Sequence, residues 1–570
     1  MAGHVVERAF HTARPRVTIT APPTSGVIVE RDVPVVVRDG TTLRVDVYRP
    51  EAPGPHPVIL SHHVYGKSST PFAKAKQGRN GTTYPTPPQY RLLRQTEPIT
   101  HSAWTGWEAP DPAVWVPNGY VVINADLRGW GTSDGVGELF SEQEAQDGHD
   151  LVEWAGTQPW STGKVGLAGV SYLAISQWGT AAQRPPHLAA IAPWEGLTDL
   201  YRDHARPGGI REDGFMRIWA AELKRERRSP VTLRKEVGRR ELWDRWWADR
   251  CRDLEAIEVP ALVCGSFSDH CLHSRGSFEG FRRISSTQKW LYTHRGPKWS
   301  AFYAPEAVAF QQRFFDHFLK GEDNGMDQVP PVRLEVRSDA RTVTSVREVE
   351  AWPPPGTTWT PLYLAAGTSD ADADEHEPHP GTLALRSPAT EAHTSFATKG
   401  GRSSFTFTFR EATEVVGAMR VRLFVEVRDE DDASLFVGVR KLRRGREVGF
   451  EGSYGFDRDL VTHGMLQVSL REVDEDGSLP WAPFHPYTSR RPVHAREVVP
   501  VEVELLPSAT LFEKGSQLRL DVQGRWFFPT NPLTGQVPAR YRHGPEATVL
   551  LRTGGTSDAA LFVPTTTPLT

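Results

Sequence analysis

The chain has 570 residues, with 38% hydrophobic and 24% charged content, which is ordinary globular composition and enough for two or three domains with sizeable cores. A formal net charge of -4 gives no electrostatic case for a nucleic-acid or anionic-membrane partner and leaves a small molecule as the expected one. Three cysteines (Cys251, Cys264 and Cys271) are too few for a disulfide framework and none forms a Cys-x-x-Cys pair, so a reducing compartment is expected.

The first residues lack a basic-then-apolar signal pattern and no apolar run approaches a membrane span, so the expected location is the cytoplasm. Past a Pro/Thr-rich leader, Val33 to Arg38 and Thr42 to Arg49 flank Asp39-Gly40, a hairpin signal. Pro57 to Leu60 reads as a buried strand, followed by Ser61-His62-His63-Val64-Tyr65-Gly66-Lys67. Ligands of open α/β sheets bind beyond the carboxyl ends of the strands, so Tyr65 is placed either to present its phenol to a site or to pack as a loop aromatic. His62 and His63 invite a metal, but neighbours on a strand point to opposite faces and no third ligand accompanies them. Residues 68–112 form an insertion too long for an ordinary connection.

Gly119 to Ala125 is the next strand, leading into Asp126-Leu-Arg128-Gly129-Trp130-Gly131-Thr-Ser133, where the charges are expected to brace a tight exit turn. Ser141-Glu-Gln-Glu144 is a capping box that opens a helix to about Gly156. Then comes the pivotal stretch, Lys164 to Trp178. Val165 to Ala168 read as strand, Gly169-Val170-Ser171 as a sharp turn, and Ala174, Ile175 and Trp178 recur at helical spacing. A serine at such an apex stands clear of the sheet, with the next backbone N–H at a helix start where an oxyanion can form, so Ser171 is the expected nucleophile. The usual Gly-x-Ser-x-Gly pattern is incomplete, because Leu173 fills its last position.

Ala189 to Pro193 is another strand, and residues 195–258 are mostly helical, charged and tryptophan-rich, the pattern of an inserted cap. Trp219, Trp243, Trp246 and Trp247 there suit an acyl pocket or plain core packing equally; the Lys224 to Arg228 run reads as a solvated helix face. Pro260 to Gly265 is a strand with Ser266-Phe-Ser-Asp269 just past its end, a helix follows from Ser274 to Ile284, and Lys289 to Thr293 is a strand ended by His294. Ser171, Asp269 and His294 thus stand in the chain order nucleophile, acid, base, each at a strand's carboxyl end. A helix from Pro305 to Lys320, anchored by Val308, Phe314, Phe315, Phe318 and Leu319, closes this region. Beyond Val332 short alternating strands take over, among them Phe405 to Phe409, Met419 to Val427, Leu435 to Val439, Val499 to Leu505 and Gln517 to Val522, the pattern of a β-sandwich. Asp370-Ala-Asp372-Ala-Asp374 resembles a calcium loop but has Glu375 where the turn glycine belongs, and reads as a solvated loop.

Tyr65-Gly66, Asp126-x-Arg128-Gly129-x-Gly131-x-Ser133, Gly169-x-Ser171-Tyr172, Ser268-Asp269-His270 and Phe314 to Gly321 together resemble the cocaine-esterase/X-prolyl dipeptidyl-peptidase family over nearly the whole chain. The resemblance implies an α/β-hydrolase domain (1–194 and 259–328) with an inserted helical cap (195–258) and a C-terminal jelly-roll β-sandwich (329–570). It makes Ser171 the nucleophile and Asp269 the acid, with Tyr65 giving an oxyanion donor from its hydroxyl beside the Tyr172 N–H. It also accounts for Leu173, through the Gly-x-Ser-Tyr form. One departure stands out: family members often carry the base in Gly-Pro-x-x-His, and here Gly296-Pro297-Lys298-Trp299-Ser300 has no histidine at that place. His294 is then the nearest candidate; His270 and His273 are alternatives that precede the last strand.

The expected chemistry is acyl transfer through an acyl-serine, needing no cofactor and no metal. A carboxylic ester is favoured over an X-Pro dipeptide or an α-amino acyl substrate, because nothing singles out a carboxylate for a free ammonium. A non-catalytic binding protein on a hydrolase scaffold is the alternative of another class. Oligomeric state is open.

Overall fold

The structure, a computed structural model, describes residues 2–68, 76–78, 81–92, 95, 97–226, 233–367, 381–453, 457–529 and 539–570. The Asp370 to Glu375 loop and the end of the Lys224 to Arg228 run lie outside them. The chain divides into two compact units: Met1–Leu200, Met216–Arg239 and Arg245–Pro331 in the first, and Tyr201–Phe215, Arg240–Asp244 and Val332–Thr570 in the second. The helical stretch between residues 195 and 258 is therefore shared between the two. Among the described residues no helix is long and apolar enough to cross a membrane.

The first unit is built on one sheet. Its strands are β1 (Val27–Val36), β2 (Thr42–Pro50), β3 (His56–His63), β4 (Val121–Asp126), β5 (Ser161–Val170), β6 (Leu188–Trp194), β7 (Ala261–Ser266) and β8 (Lys289–His294). Spatial order is β1-β2-β4-β3-β5-β6-β7-β8, with β1/β2 and β2/β4 antiparallel and every later pair parallel. The order doubles back at β3/β4, and β5 lies beside β3, the arrangement of an α/β-hydrolase. Strands β4 and β7 are buried along their whole length, as parallel strands covered on both faces must be, and both read as near-continuous apolar runs.

The Asp39-Gly40 hairpin forms as its residues dictate, with Gly40 at φ 86°. Helix α1 (Glu142–Gly156) starts at the expected box: Ser141 Oγ accepts from Glu144 N–H at 3.1 Å, while Glu144 Oε2 reaches back to Phe140 N–H at 2.8 Å. Helix α2 (Tyr172–Ala182) follows β5 with no intervening loop, α3 (Phe215–Glu226) lies between β6 and β7 in the chain, and α4 (Ser274–Arg283) follows β7. Helix α5 (Pro305–Phe315) turns into a wider π-turn at Asp316–Lys320. Phe314, Phe315 and Leu319 enter the core beside Trp194, Trp290 and Tyr292, with Phe318 packed at its edge. Val308 is only half-buried and Ala307 takes the inward position, a departure from the helical spacing expected of a continuous Pro305 to Lys320 helix.

The second unit is β-rich. Its long strand Thr413–Arg428 pairs antiparallel with Val499–Phe512, Thr548–Thr553 and Ala560–Thr565, while Gln517–Gln523 pairs with both Arg402–Thr408 and Ser434–Arg443. Inward residues alternate along these strands, as at Val421, Leu423 and Val425, giving the two-residue period visible in the sequence.

Candidate active site

Ser171 sits where β5 turns into α2, at φ 59° and ψ -117°, a region that non-glycine residues avoid at a cost of about 1–3 kcal/mol. Backbone bonds on each side hold it there: Val170 N–H to Glu108 O at 2.9 Å, Ser171 N–H to Trp194 O at 3.0 Å, and Ile175 N–H to Ser171 O at 2.9 Å. Gly169 lies at φ 143°, and a Cβ added there would come within 2.5 Å of Leu173 Cβ. A glycine is thus obligatory at 169, and the space it leaves is what lets the larger Leu173 close the turn.

Ser171 is only 7% exposed, and its Oγ lies 3.2 Å from His273 Nε2. His273 Nδ1 lies 2.5 Å from Asp269 Oδ2. The hydrogen-bond network sets the tautomer: Nδ1 carries the proton and donates to the carboxylate, leaving Nε2 to accept from the serine hydroxyl. Asp269 is set by the turn after β7, where Ser266 Oγ accepts from Asp269 N–H at 3.2 Å. The N–H groups of Leu272, His273 and Ser274 all converge on Asp269 O, winding the chain so that His273, at the N-cap of α4, folds back onto the acid's side chain.

His294, expected as the base, is not on Ser171. Its Nδ1 accepts from Gly296 N–H at 3.1 Å and its Nε2 donates to Glu195 Oε1 at 3.0 Å, so both ring nitrogens are committed. The ring lies against Trp194 with centroids 6.1 Å apart. The expectation rested on the last strand supplying the base; instead the four-residue return from Asp269 brings a nearer imidazole. Sequence spacing carried a usable signal, since Asp269 and His273 are one helical turn apart, but the preference for a residue beyond the last strand hid it.

Tyr65 is 5% exposed and sits over the same serine: its hydroxyl hydrogen-bonds with Ser171 and with Trp219. Burial, then the nearby charges of Glu108 and Glu222, push its titration well above the usual phenol value, so it stays a donor. The loop that presents it is pinned by Asp126, whose Oδ1 accepts from Lys67 N–H at 2.6 Å and whose Oδ2 accepts from Thr132 N–H at 2.9 Å. A Cβ at Gly131 would strike that carboxylate at 2.1 Å, which explains the glycine. Arg128 bridges Asp147 and Asp39, with contacts of 2.6 and 2.8 Å. The charged turn is bracing, as its composition implied.

Tyr172 opens α2, so its N–H has no intrahelical acceptor and remains for the site. Its hydroxyl donates to Glu144 Oε2 at 2.6 Å. Trp219 packs against Tyr172 at 5.9 Å between ring centroids. The other tryptophans between residues 195 and 258 do different work: Trp246 stacks under the Arg250 guanidinium at 3.7 Å, Trp247 is buried, and Trp243 lies under Arg202 within the second unit.

Two charged side chains were not anticipated. Lys298 Nζ lies 3.3 Å from Asp269 Oδ2 and 3.5 Å from His273 Nδ1. Glu108, from the insertion, is 3% exposed; Trp299 Nε1 donates to its Oε1 at 2.9 Å, and its Oε2 has no hydrogen-bond partner among the described residues. Burial pushes this carboxyl up to about 7 against the pull of Lys298. The insertion also packs Tyr90 and Trp107 on Trp299 at 5.1 and 4.8 Å. Glu108 thus braces the Ser171 turn through its carbonyl, and Tyr90 and Trp107 back the Lys298 segment with aromatic rings.

Among the described residues, His62 and His63 belong to no cluster of three ligand-bearing side chains. His63 Nε2 pairs with Asn124 Oδ1 at 3.2 Å, and burial lowers the two imidazoles to about 3 and about 4, so both are neutral core residues. Glu195, Cys264 and His294 do bring ligand atoms within 4.8 Å of one another. The Gly296 N–H on Nδ1 and the Glu195 contact at Nε2 already account for that imidazole.

Residues 39–297 match the X-Pro dipeptidyl-peptidase (S15 family) model, and residues 324–549 match the X-Pro dipeptidyl-peptidase C-terminal non-catalytic domain. A crystal structure of a CocE/NonD family hydrolase from Staphylococcus aureus superposes with a TM-score of 0.86 at 35% identity, covering 97% of this chain and 99% of that one. The chain belongs to the CocE/NonD family of serine hydrolases. Cocaine esterase of Rhodococcus sp. (strain MB1 Bresler) is 24% identical over 608 residues, spanning 90% of this chain and 94% of its own. An aminopeptidase from the marine sediment archaeon Thaumarchaeota archaeon shares the fold, with a TM-score of 0.66 at 14% identity over 96% of this chain and 99% of that one. Members of the CocE/NonD family act on esters or peptides.

Proposed function

We propose that this CocE/NonD hydrolase cleaves carboxylic esters through an acyl-enzyme on Ser171, with His273 as general base, Asp269 as its orienting acid, and the Tyr65 hydroxyl and Tyr172 N–H as oxyanion donors. The observation that carries this is the unbroken contact chain from Ser171 Oγ to His273 Nε2 at 3.2 Å and from His273 Nδ1 to Asp269 Oδ2 at 2.5 Å. On attack, the hydroxyl proton passes to His273 Nε2 as the Ser171 Oγ–carbonyl carbon bond forms. Asp269 stabilises the imidazolium, which then protonates the leaving alkoxide as the ester bond breaks. Water, deprotonated by the same imidazole, releases the acid and restores the serine. The two donors come from separate elements, one from the β3 exit and one from the start of α2, and developing negative charge is best met by such fixed dipoles in a water-poor site.

An ester is favoured because a relative matching nearly end to end is named for esterase activity. An amine-bearing acyl group is the second reading, favoured by Glu108: a buried carboxylate oxygen without a partner, near Tyr65, is a group that a substrate ammonium would satisfy. Turnover of p-nitrophenyl butyrate, a benzoyl ester and Gly-Pro-p-nitroanilide by wild type and Ser171→Ala separates the readings. Ester turnover lost with Ser171→Ala, with the anilide untouched, is the expected result. Preferred cleavage of the anilide would reverse the ranking, and turnover surviving Ser171→Ala would overturn both.

A further inference from the structure

Lys298 is unusual in its position, because a cation placed beside a general base opposes the base's protonation. It begins the short helix Lys298–Phe302, directly after Gly296-Pro297, in the segment where the sequence lacks the histidine expected from its resemblances. Its side chain is 12% exposed, and its Nζ approaches the same Asp269 Oδ2 that takes the His273 Nδ1 proton. That oxygen is therefore shared between two donors.

The groups facing His273 come from several elements. Asp269 lies on its own turn, Ser171 on the β5/α2 turn, and Lys298 past β8; Glu195, at the end of β6, has a carboxylate oxygen within 4.8 Å of the ligand atoms of Asp269 and His273. Glu108 acts at longer range through Lys298. His273 also caps α4, the positive end of a helix dipole. The lysine stays charged: burial lowers its titration, but Asp269, Glu108 and Glu195 together raise it above the ordinary value.

We propose that Lys298 is a positioning residue that holds His273 neutral, and so ready to accept the Ser171 proton, at lower pH than a histidine–aspartate pair alone would allow. It acts by sharing Asp269 Oδ2 and by placing a fixed positive charge beside Nδ1; it transfers no proton itself. The physical cause is like-charge repulsion between the ammonium and the imidazolium, an effect of about one to three pH units for close, poorly solvated pairs. The inference rests on the His273 reading of the site.

The test is the pH dependence of kcat/KM for p-nitrophenyl butyrate, paired with the rate of Ser171 labelling by a fluorophosphonate. The three proteins carry Lys298, Lys298→Arg or Lys298→Met, each in a Glu108→Gln background, so that the buried carboxyl that titrates at about 7 is removed. Lys298→Met moves the acid limb up by about one unit or more, and Lys298→Arg leaves it in place. An unmoved limb in Lys298→Met, or an equal shift in Lys298→Arg, would overturn the inference. Should Lys298→Met fail to fold, nitrogen NMR of the imidazoles in Lys298→Gln beside wild type decides: an unchanged His273 midpoint contradicts it, and an upward shift supports it. Ser171→Ala and His273→Ala run alongside. Turnover that survives either overturns the site reading itself, whereas turnover that needs both but ignores Lys298 overturns this inference alone.

Discussion

Two buried histidine–carboxylate pairs lie close together beyond the sheet: His273 with Asp269 after β7, and His294 with Glu195 between the ends of β8 and β6. By residue type and burial they are near twins. They differ in what the far nitrogen faces. His273 Nε2 is turned to Ser171, whereas His294 Nδ1 is occupied by Gly296 N–H, so one pair ends in the Ser171 hydroxyl and the other in backbone. A histidine's role is thus set by the partner of its second nitrogen, which composition and strand order do not reveal.

The sharpest way to break the comparison is to change each carboxylate in turn. Asp269→Asn should lower kcat for ester hydrolysis on the order of 10⁴-fold, because the amide no longer selects the Nδ1–H tautomer. Glu195→Gln, by contrast, keeps an acceptor for His294 and should change kcat less than about tenfold, as expected of a pair with no contact to the nucleophile. Steady-state rates of the two variants measure this directly; equal losses would erase the distinction.

Tyr65→Phe should cost about 10²- to 10³-fold in kcat, the usual loss for one oxyanion donor. Its melting temperature should stay near that of wild type, which separates a lost donor from a damaged loop.

His294→Ala should appear in stability rather than in rate. It leaves Glu195, which is 0% exposed, without the donor to its Oε1, and should lower unfolding free energy by about 1–3 kcal/mol in a urea titration.

A stability effect confined to a pH window concerns Glu108. Its carboxyl titrates near the ordinary 4.5 when unfolded and at about 7 when folded, because burial disfavours the charge. The native state therefore binds this proton more tightly, and its stabilising share is full below about 4.5 and lost as pH rises to about 7. Glu108→Gln should remove that decline, by about 3 kcal/mol across the window, in melts recorded from pH 4.5 to 7.5.

Much of this was legible in the residues. The eight strands of the sheet, the capped helix at Ser141 and the serine turn all follow from local period and from Gly, Ser and Asp at their proper places. Asp269 was legible as a polar residue just past a strand's end. His273 stood only as an alternative to His294, because its approach to Ser171 depends on three N–H groups converging on one carbonyl, a product of the folded turn rather than of any residue type. Glu108 and Lys298 were missed for a similar reason: they come from an insertion and a short helix distant in sequence, brought together by the aromatic packing of Tyr90 and Trp107 on Trp299 and by the Trp299–Glu108 hydrogen bond. The split of residues 195–258 between two compact units was equally invisible, since its helical and charged composition runs on without a break.

The most direct measurement is the second-order rate of Ser171 labelling by a fluorophosphonate in His273→Ala beside His294→Ala, both checked for fold by circular dichroism. Labelling that falls on the order of 10³-fold or more in His273→Ala and stays within about tenfold of wild type in His294→Ala is the predicted result. Labelling that persists in His273→Ala and is lost in a folded His294→Ala would contradict the assignment of the base.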